Sequence, residues 1–363
     1  HSTRVPRGHG ALATVTTSGS TGRPLSAVKT ALQQTLWNCL TLRDHMWQRR
    51  DLTAKLAVIR GVAPGQAPYP RDVRYRAWGR GTGLIHATGP AVMLSAEVPL
   101  ARQLDWLQRE NPGYLLTNPS NLHELVRHAT ATGVALPDLR GVGTLGGILR
   151  PEVRTAVRAT WNVGIADIYS AQETGYLALQ CPDHPHYHVQ AETILLEILD
   201  PDGHPCAPGE TGRVVVTPLH AFAMPLIRYD IGDYAEVGAP CPCGRGLPVL
   251  RRVIGRVRNM LVLPSGARIA PTFVNDWYEG LPVRQFQIVQ HAPDHLEFRI
   301  VAARAFTAAD EATVRTRIAA RLAEPMRITF GYLDAIPRGV GGKFEDFKCE
   351  VPPATSGETV DGH

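Results

Sequence analysis

The spacing of hydrophobic residues predicts an alternation of strands and helices in the first half of the chain. Residues 11–16 are expected to form a short strand, and residues 25–57 carry leucines at helical spacing, which predicts a long helix. Short apolar runs then alternate with helical stretches up to residue 168, as in Ala91–Ser95, Leu100–Gln108, Tyr114–Thr117 and Ser120–Thr132. Strands that alternate with helices are typical of an α/β sheet, which we predict here.

The pattern changes after Cys181, where strands broken by glycine and proline replace this alternation. The turn Asp200-Pro-Asp-Gly lies between strands predicted at Thr193–Leu199 and Arg213–Pro218. We therefore predict a β-rich subdomain over about residues 181–253.

The C-terminal part has a third order of elements. Its pattern predicts strand, strand, helix and strand, and Thr307-x-x-Asp310 has the form of a capping box at the start of the helix. These elements lie at residues 284–290, 295–301, 307–322 and 326–333. We predict a large N-terminal core over residues 1–256 and a small α+β domain over residues 257–363.

The composition is that of a folded globular protein. Hydrophobic residues make up 44% of the 363 residues and charged residues 20%, which excludes a disordered chain. No window contains the roughly 18 uninterrupted apolar residues of a membrane helix, and residues 1–10 lack the apolar core of a signal peptide. We expect a cytoplasmic protein without a membrane partner. The net charge is +5, but the basic residues are scattered, so we expect no nucleic-acid partner either.

Lysine is rare in this chain. The four lysines are Lys29, Lys55, Lys343 and Lys348, so a lysine inside a motif is less expected by chance. Lys343 ends the glycine-rich segment Pro337-Arg-Gly-Val-Gly-Gly-Lys, where its ammonium could neutralise charge that develops on a transferred group. A solvated hairpin tip is the alternative.

The loop Thr16-Thr-Ser-Gly-Ser-Thr-Gly-Arg-Pro24 follows the first predicted strand. Its backbone amides and hydroxyl groups could bind phosphate. No Lys-Ser or Lys-Thr pair follows Gly22, so this is not a Walker loop, and a plain polar loop fits the spacing equally well.

Two further segments carry groups suited to a nucleotide. The segment Asp167–Gly175 would bring Tyr169 and Glu173 to a loop, where a carboxylate near phosphates could hold Mg²⁺. Asp233 could accept the hydroxyls of a ribose, and Arg256 could donate to them. The alternatives are a solvated glutamate, a turn aspartate and a surface arginine.

Taken in chain order, the four segments, which contain residues 16–24, Tyr169 and Glu173, Asp233 and Arg256, and Lys343, resemble the motifs of the adenylate-forming (AMP-forming acyl-activating, ANL) synthetase superfamily. Within it, the chain is similar to the phenylacetate–CoA ligase-like branch. The residues that carry this second resemblance are Pro225-Leu-Ile-Arg-Tyr229, Cys241-Pro-Cys-Gly-Arg245 and Met260-Leu-Val-Leu263. It implies a large core of mixed sheets and a small C-terminal lid that rotates about a hinge at Arg258.

The resemblance also implies a role for each site residue. Tyr169 would stack on adenine beside Ser170, Asp233 and Arg256 would hold the ribose, and Glu173 would ligate Mg²⁺. Lys343 would bridge the α-phosphate and the acyl oxygen. The β- and γ-phosphates would lie against the loop residues Thr17, Ser18, Gly19, Ser20, Thr21 and Gly22.

The implied reaction joins a carboxylic acid to AMP with release of pyrophosphate, and then passes the acyl group to coenzyme A. Candidates for the acyl pocket are Trp78, Gly146 and Gly147, where the glycines leave room for an aromatic ring, although a tryptophan is more often a core residue. Transfer to a carrier-protein thiol or an amine in secondary metabolism, or activation of a non-carboxylate acid, are alternatives. Relatives suggest a homodimer.

The chain departs from the family pattern at several positions. Ser170 and Gln172 replace the usual Gly and Thr, and Arg258 stands at the hinge. Gly147-Ile148 stands where many relatives have a small residue and Glu. An inactive synthetase-like scaffold is therefore a further alternative. Relatives also carry a longer stretch before the phosphate loop, so we expect upstream residues to be missing here.

The Cys and His residues form a separate group. Cys181 precedes three histidines, and Cys241 and Cys243 follow about 60 residues later. Three thiolates and one imidazole suit a structural Zn²⁺ without a catalytic role, since four protein ligands leave no open position. The resemblance assigns the ligands to Cys181, His188, Cys241 and Cys243, with His184 and His186 as alternatives to His188. Unligated buried thiols and a zinc-bearing nucleic-acid binder are the other possibilities.

Overall fold

A computed structural model describes residues 4–16, 26–256, 260–269, 271, 277–322, 324–336 and 346–352. The predicted phosphate loop at residues 17–22, the hinge residue Arg258 and the lysine Lys343 lie outside the described residues. The described chain divides into two compact units between Gly255 and Arg256. This division falls one residue before the domain boundary that we predicted.

The first unit contains five helices and a short 3-10 turn at Arg7–His9 among its described residues. The helices are α1 Ala31–Trp47, α2 Arg80–Ile85, α3 Leu100–Glu110, α4 Pro119–Thr132 and α5 Pro151–Trp161. The strands are β1 Leu12–Thr16, β2 Ser26–Thr30, β3 Leu56–Arg60, β4 Val73–Tyr75, β5 Ala91–Ser95, β6 Tyr114–Thr117, β7 Gly141–Leu145, β8 Gly164–Ala171, β9 Gly175–Gln180, β10 Tyr187–Val189, β11 Ile194–Leu199, β12 Thr211–Pro218, β13 Tyr229–Val237 and β14 Val249–Arg256.

Within the described residues, β3 to β14 form one sheet of 12 strands in the order β11-β12-β13-β14-β10-β9-β8-β7-β6-β3-β5-β4. The run β5-β3-β6-β7-β8 is parallel, and β9 pairs antiparallel with β8. Trp106, Leu122 and Val157, one from each of α3, α4 and α5, belong to the same buried core cluster as the central strands. Helices on a parallel sheet confirm the predicted α/β class.

One predicted element was wrong in part. Residues 25–57 do not form one helix, because β2 occupies Ser26–Thr30 and β3 occupies Leu56–Arg60. Thr30 ends the strand and starts α1, since its side chain accepts a hydrogen bond from the amide of Gln33 while the Gln33 side chain accepts one from the amide of Thr30. This capping box fixes the start of the helix at Ala31. The helix predicted from the leucine spacing is therefore confirmed only over Ala31–Trp47.

The second unit has the predicted mixture of strands and one helix, α6 Ala308–Ala319, in its described residues. Thr307 and Asp310 form the predicted capping box. The strands are β15 Leu261–Val262, β16 Arg268–Ile269, β17 Val283–Ala292, β18 His295–Ala302, β19 Arg327–Tyr332 and β20 Phe347–Cys349. The strands β19, β18, β17 and β20 make a sheet in that order, and Trp277, Phe298 and Val314 belong to its core.

Among the described helices, none combines the length and the apolar character that a membrane crossing requires.

Candidate nucleotide and metal sites

The turn between β8 and β9 carries the predicted magnesium ligand. Tyr169 and Ser170 lie near the end of β8, where the pairing with β9 shifts register between them. Such an irregularity re-aims the side chains that follow it. Glu173 lies in the turn and is 8% exposed, and Gly175 begins β9 with a φ of 100°, which favours glycine.

Tyr169 and Asp233 meet although their strands are not neighbours in the sheet. The Tyr169 hydroxyl donates a hydrogen bond of 2.7 Å to Oδ2 of Asp233 on β13, and Asp233 is 9% exposed. Gly232, with a φ of 78°, bends β13 just before Asp233, and its amide donates to Asp230. The structure thus brings together two of the predicted nucleotide residues from separate motifs. Arg256 ends β14 and is half-buried.

A buried carboxyl group holds the strand that carries Tyr169. Asp167 on β8 accepts hydrogen bonds from the hydroxyls of Thr144 on β7 and Tyr187 on β10. Its backbone amide donates to the side chain of Gln180 on β9. Burial raises the pKa of Asp167, against the opposing effect of the hydrogen bonds from Thr144 and Tyr187. This network ties the site strand to three other strands.

The three predicted acyl-pocket residues lie in different surroundings. Trp78 packs in a core cluster with Leu56 and Tyr114, and its indole N–H donates to the carbonyl of Ala54. These contacts favour the core alternative for Trp78 and lend no support to a pocket role. Gly146, with a φ of 76°, and Gly147 follow β7. A Cβ on Gly147 would lie 3.2 Å from Cδ of Pro119, so this position has little room for a side chain.

The sulfur and imidazole groups predicted to bind zinc do lie together. One ligand atom from each of Cys181, His186, His188 and Cys241 lies within 4.8 Å of the others. Cys243 is adjacent, with its Sγ 3.3 Å from Nε2 of His188. The Sγ atoms of Cys181 and Cys241 are 4.0 Å apart. A disulfide would place them about 2 Å apart, whereas two thiolates on one tetrahedral Zn²⁺ lie roughly 3.8 Å apart.

The pKa values of the groups in this cluster shift in both directions. Burial opposes ionisation of Cys243, but hydrogen bonds from Arg245 outweigh it and lower the pKa of this thiol to about 7. Burial raises the pKa of Cys241 to about 11. Burial and the neighbouring His186 lower the pKa of His188, which keeps its imidazole neutral and able to ligate. Nε2 of His186 is buried without a hydrogen-bond partner in the described structure.

The comparison with known families identifies the class of this protein. The AMP-binding enzyme family matches residues 5–222, which is more than half of the chain, and the CapK C-terminal domain matches residues 261–349. The chain therefore belongs to the AMP-binding enzyme family. This confirms the resemblance to adenylate-forming enzymes.

Relatives of known name place the chain within the family. It is 28% identical over 260 residues to a phenylacetate-coenzyme A ligase of Thermus thermophilus, across 67% of this chain and 58% of that protein. It is 25% identical over 186 residues to a phenylacetate-coenzyme A ligase of Aromatoleum evansii, across 48% of this chain and 40% of that protein. The chain thus spans about half the length of these relatives, and the predicted similarity to the phenylacetate–CoA ligase-like branch is confirmed.

Solved structures share the fold. A 2-hydroxyisobutyryl-CoA ligase in complex with an acyl-AMP matches with a TM-score of 0.73 and 19% identity, across 95% of this chain and 75% of that one. An anthranilate CoA ligase in complex with anthranoyl-AMP matches with a TM-score of 0.67 and 14% identity, across 91% of this chain and 65% of that one. This likeness confirms the fold of adenylate-forming enzymes for this chain.

Proposed function

We propose that the protein activates a carboxylic acid with ATP to form an acyl-adenylate and pyrophosphate, and then transfers the acyl group to coenzyme A. The observation that carries this proposal is the contact of Tyr169 on β8 with Asp233 on β13, in a chain that belongs to the AMP-binding enzyme family. Three strands, β9, β10 and β14, lie between β8 and β13 in the sheet. A nucleotide site needs a ring-stacking surface and a ribose acceptor close together, and this pair supplies both.

The proposed chemistry is mostly a matter of position and charge. A carboxylate oxygen attacks the α-phosphorus, the bond from that phosphorus to the bridging oxygen of the β-phosphate breaks, and its electron pair leaves with pyrophosphate. Two anions must approach each other, so the protein has to orient them and neutralise charge. Asp233 would hold the ribose, with Tyr169 fixed beside it by their hydrogen bond.

Glu173 fits the role of a magnesium ligand. Its carboxylate is largely buried, and within the described residues it forms no salt bridge that would occupy it. Magnesium takes one or two protein carboxylates together with phosphate oxygens and, when bound, withdraws negative charge from the phosphates. The chain's own contribution is to hold this carboxylate in the turn after β8.

The proposal also covers the chemical class of the acid and the identity of the acyl acceptor. The relatives that match this chain are named phenylacetate-coenzyme A ligases, which favours an aromatic acid and coenzyme A. A carrier-protein thiol or an amine is the second candidate for the acceptor. The movement of the second unit as a lid about Arg258, a homodimer, a cytoplasmic location and a place in secondary metabolism remain predictions.

The test is ATP–pyrophosphate exchange across a panel of aromatic and aliphatic carboxylic acids. We expect exchange that depends on one class of acid, followed by thioester formation when coenzyme A is added. Exchange without thioester would favour the second acceptor. Absence of acid-dependent exchange across the panel would favour the inactive-scaffold alternative.

We further propose that Cys181, His188, Cys241 and Cys243 bind a structural Zn²⁺, with His186 as the alternative fourth ligand. The 4.0 Å separation of the Cys181 and Cys241 sulfur atoms and the 3.3 Å distance from the Cys243 sulfur to Nε2 of His188 support this set. Zinc here would cross-link the loop after β9, strand β10 and the loop before β14.

Replacement of Cys241 with serine should remove stoichiometric zinc and lower the melting temperature by about 5–10 °C. Metal analysis and thermal unfolding measure the two effects. Cys206→Ser, at a cysteine outside the cluster, is the matched control and should retain zinc. The Cys243→Ser variant should lose zinc, and the His186→Ala variant should retain it. Loss of zinc in His186→Ala with retention in Cys243→Ser would make His186, and not Cys243, the fourth zinc ligand.

A further inference from the structure

A lysine that the proposed mechanism does not use is buried next to the proposed magnesium ligand. Lys29 lies on β2, where the buried positions alternate, so that Ala27 and Lys29 share the inward face. Its side chain is 8% exposed, and Ala13 on β1 is its cross-strand partner. A buried ammonium is costly unless an anion compensates it.

The described structure offers Lys29 only partial compensation. Its Nζ lies 4.8 Å from the centre of the Trp37 ring, a cation–π contact. Glu173 attracts it electrostatically, but no salt bridge of the described residues joins the two groups. Burial lowers the pKa of Lys29, and the Glu173 carboxylate opposes that shift. Among the described residues, the Lys29 side chain therefore has a cation–π contact but no ion pair.

Lys29 borders a cleft of the first unit that is lined by further polar groups. One wall is the face of α1 that carries Gln33 and Trp37, and the opposite wall contains Thr174 and Tyr176, directly after Glu173. The hydroxyl of Thr174 is buried without a hydrogen-bond partner among the described residues. His220 and Thr193 also line the cleft, and the Thr193 hydroxyl donates to the carbonyl of Gln190. The rest of the lining is apolar apart from Gly175: Leu36, Leu40, Pro218 and Ala221. An ammonium, one hydroxyl without a partner and an imidazole around one cleft suit an oxyanion.

We propose that Lys29 binds the pyrophosphate part of ATP and the departing pyrophosphate, with Thr174 as a second donor. This proposal rests on the proposed function. It assigns phosphate rather than the acid's carboxylate to the cleft, because Thr174 in the cleft lining directly follows Glu173, the proposed ligand of the phosphate-bound Mg²⁺.

The charges account for the expected effect on the reaction. Glu173 would hold Mg²⁺, which would compensate the charge of this carboxylate, and the Lys29 ammonium would then be compensated by phosphate oxygens. When the α-phosphorus bond breaks, the electron pair that leaves with pyrophosphate increases the negative charge beside Lys29. An ammonium at this point stabilises the leaving group more than the ground state.

Isothermal titration of the full chain with Mg·pyrophosphate, Mg·ATP and AMP tests this proposal. Lys29→Met should weaken binding of Mg·pyrophosphate roughly 10- to 100-fold and leave AMP binding unchanged, because AMP lacks the β- and γ-phosphates. Lys29→Arg, which keeps the charge, should restore most of the affinity. Thr174→Val should weaken Mg·pyrophosphate binding by a smaller factor. Lys55→Met removes a lysine that pairs with Glu110 away from this cleft and is the control.

Three results would overturn the proposal. Equal loss of AMP binding in Lys29→Met, with no recovery in Lys29→Arg, would show a structural role for Lys29. Unchanged binding of Mg·pyrophosphate with a raised KM for the acid would assign the cleft to the carboxylate. A wild-type protein that binds neither Mg·ATP nor Mg·pyrophosphate would contradict the proposed function itself. That failure is seen in the wild type alone and is therefore distinct from a failure of the Lys29 proposal.

Discussion

Replacement of Lys343 with alanine is expected to lower the rate of adenylate formation by about 100- to 1000-fold. The family resemblance assigns to this lysine the neutralisation of charge between the α-phosphate and the acyl oxygen, and loss of one such donor has this typical effect. Lys343 lies outside the described residues, so the expectation rests on its motif. Acid-dependent ATP–pyrophosphate exchange measures the effect.

Lys348→Ala is the matched control for this variant. Lys348 is on β20, is partly exposed and pairs with Glu350 at 2.6 Å, so its loss should change exchange less than twofold. If Lys343→Ala retains the exchange rate of the wild type, the assignment of Lys343 is wrong. If the wild type shows no exchange, the comparison instead favours an inactive scaffold.

The second large effect is expected at Glu173. Glu173→Gln keeps the size of the side chain and removes its charge, so we expect a rate about 100-fold lower at fixed Mg²⁺ and a higher Mg²⁺ concentration for half-maximal activity. The substitution also removes the carboxylate that attracts Lys29, which should lower the melting temperature. Exchange rates over a series of Mg²⁺ concentrations, with thermal unfolding alongside, separate the two effects.

An exposed glutamate provides the comparison for Glu173. Glu210 accepts a hydrogen bond from the amide of Ala207 at the surface, and Glu210→Gln can still accept it. This variant should leave both the rate and the Mg²⁺ requirement unchanged. A Glu173→Gln enzyme with a normal Mg²⁺ requirement and a reduced melting temperature would show that Glu173 is only a structural residue.

Much of the fold could be predicted because local pattern and tertiary structure agree. The apolar runs Ala91–Ser95 and Tyr114–Thr117 are strands with the predicted bounds, and Thr307 and Asp310 cap a helix as predicted. These signals depend on neighbouring residues alone. The order of the motifs likewise identified the family, since each motif keeps its residues close together in sequence.

What the pattern missed depends on contacts between distant segments. The leucine spacing led us to include residues 26–30 in the predicted helix. In the structure they pair with β1 as a strand, and this places Lys29 on the buried face. The rarity of lysine could have drawn attention to Lys29. The prediction of a helix at this position gave no reason to expect its side chain to be buried. The hydrogen bond between Tyr169 and Asp233 also depends on the order of strands in the sheet, which no local pattern specifies.

The central claim is that this chain joins AMP to a carboxylic acid. Its most direct test is mass spectrometry of the small molecules formed when the protein is incubated with Mg·ATP and a pooled set of carboxylic acids. We predict an acyl-adenylate, with pyrophosphate released in equal amount and no ADP. Formation of ADP with an acyl phosphate, or recovery of ATP and every acid unchanged, would contradict the claim.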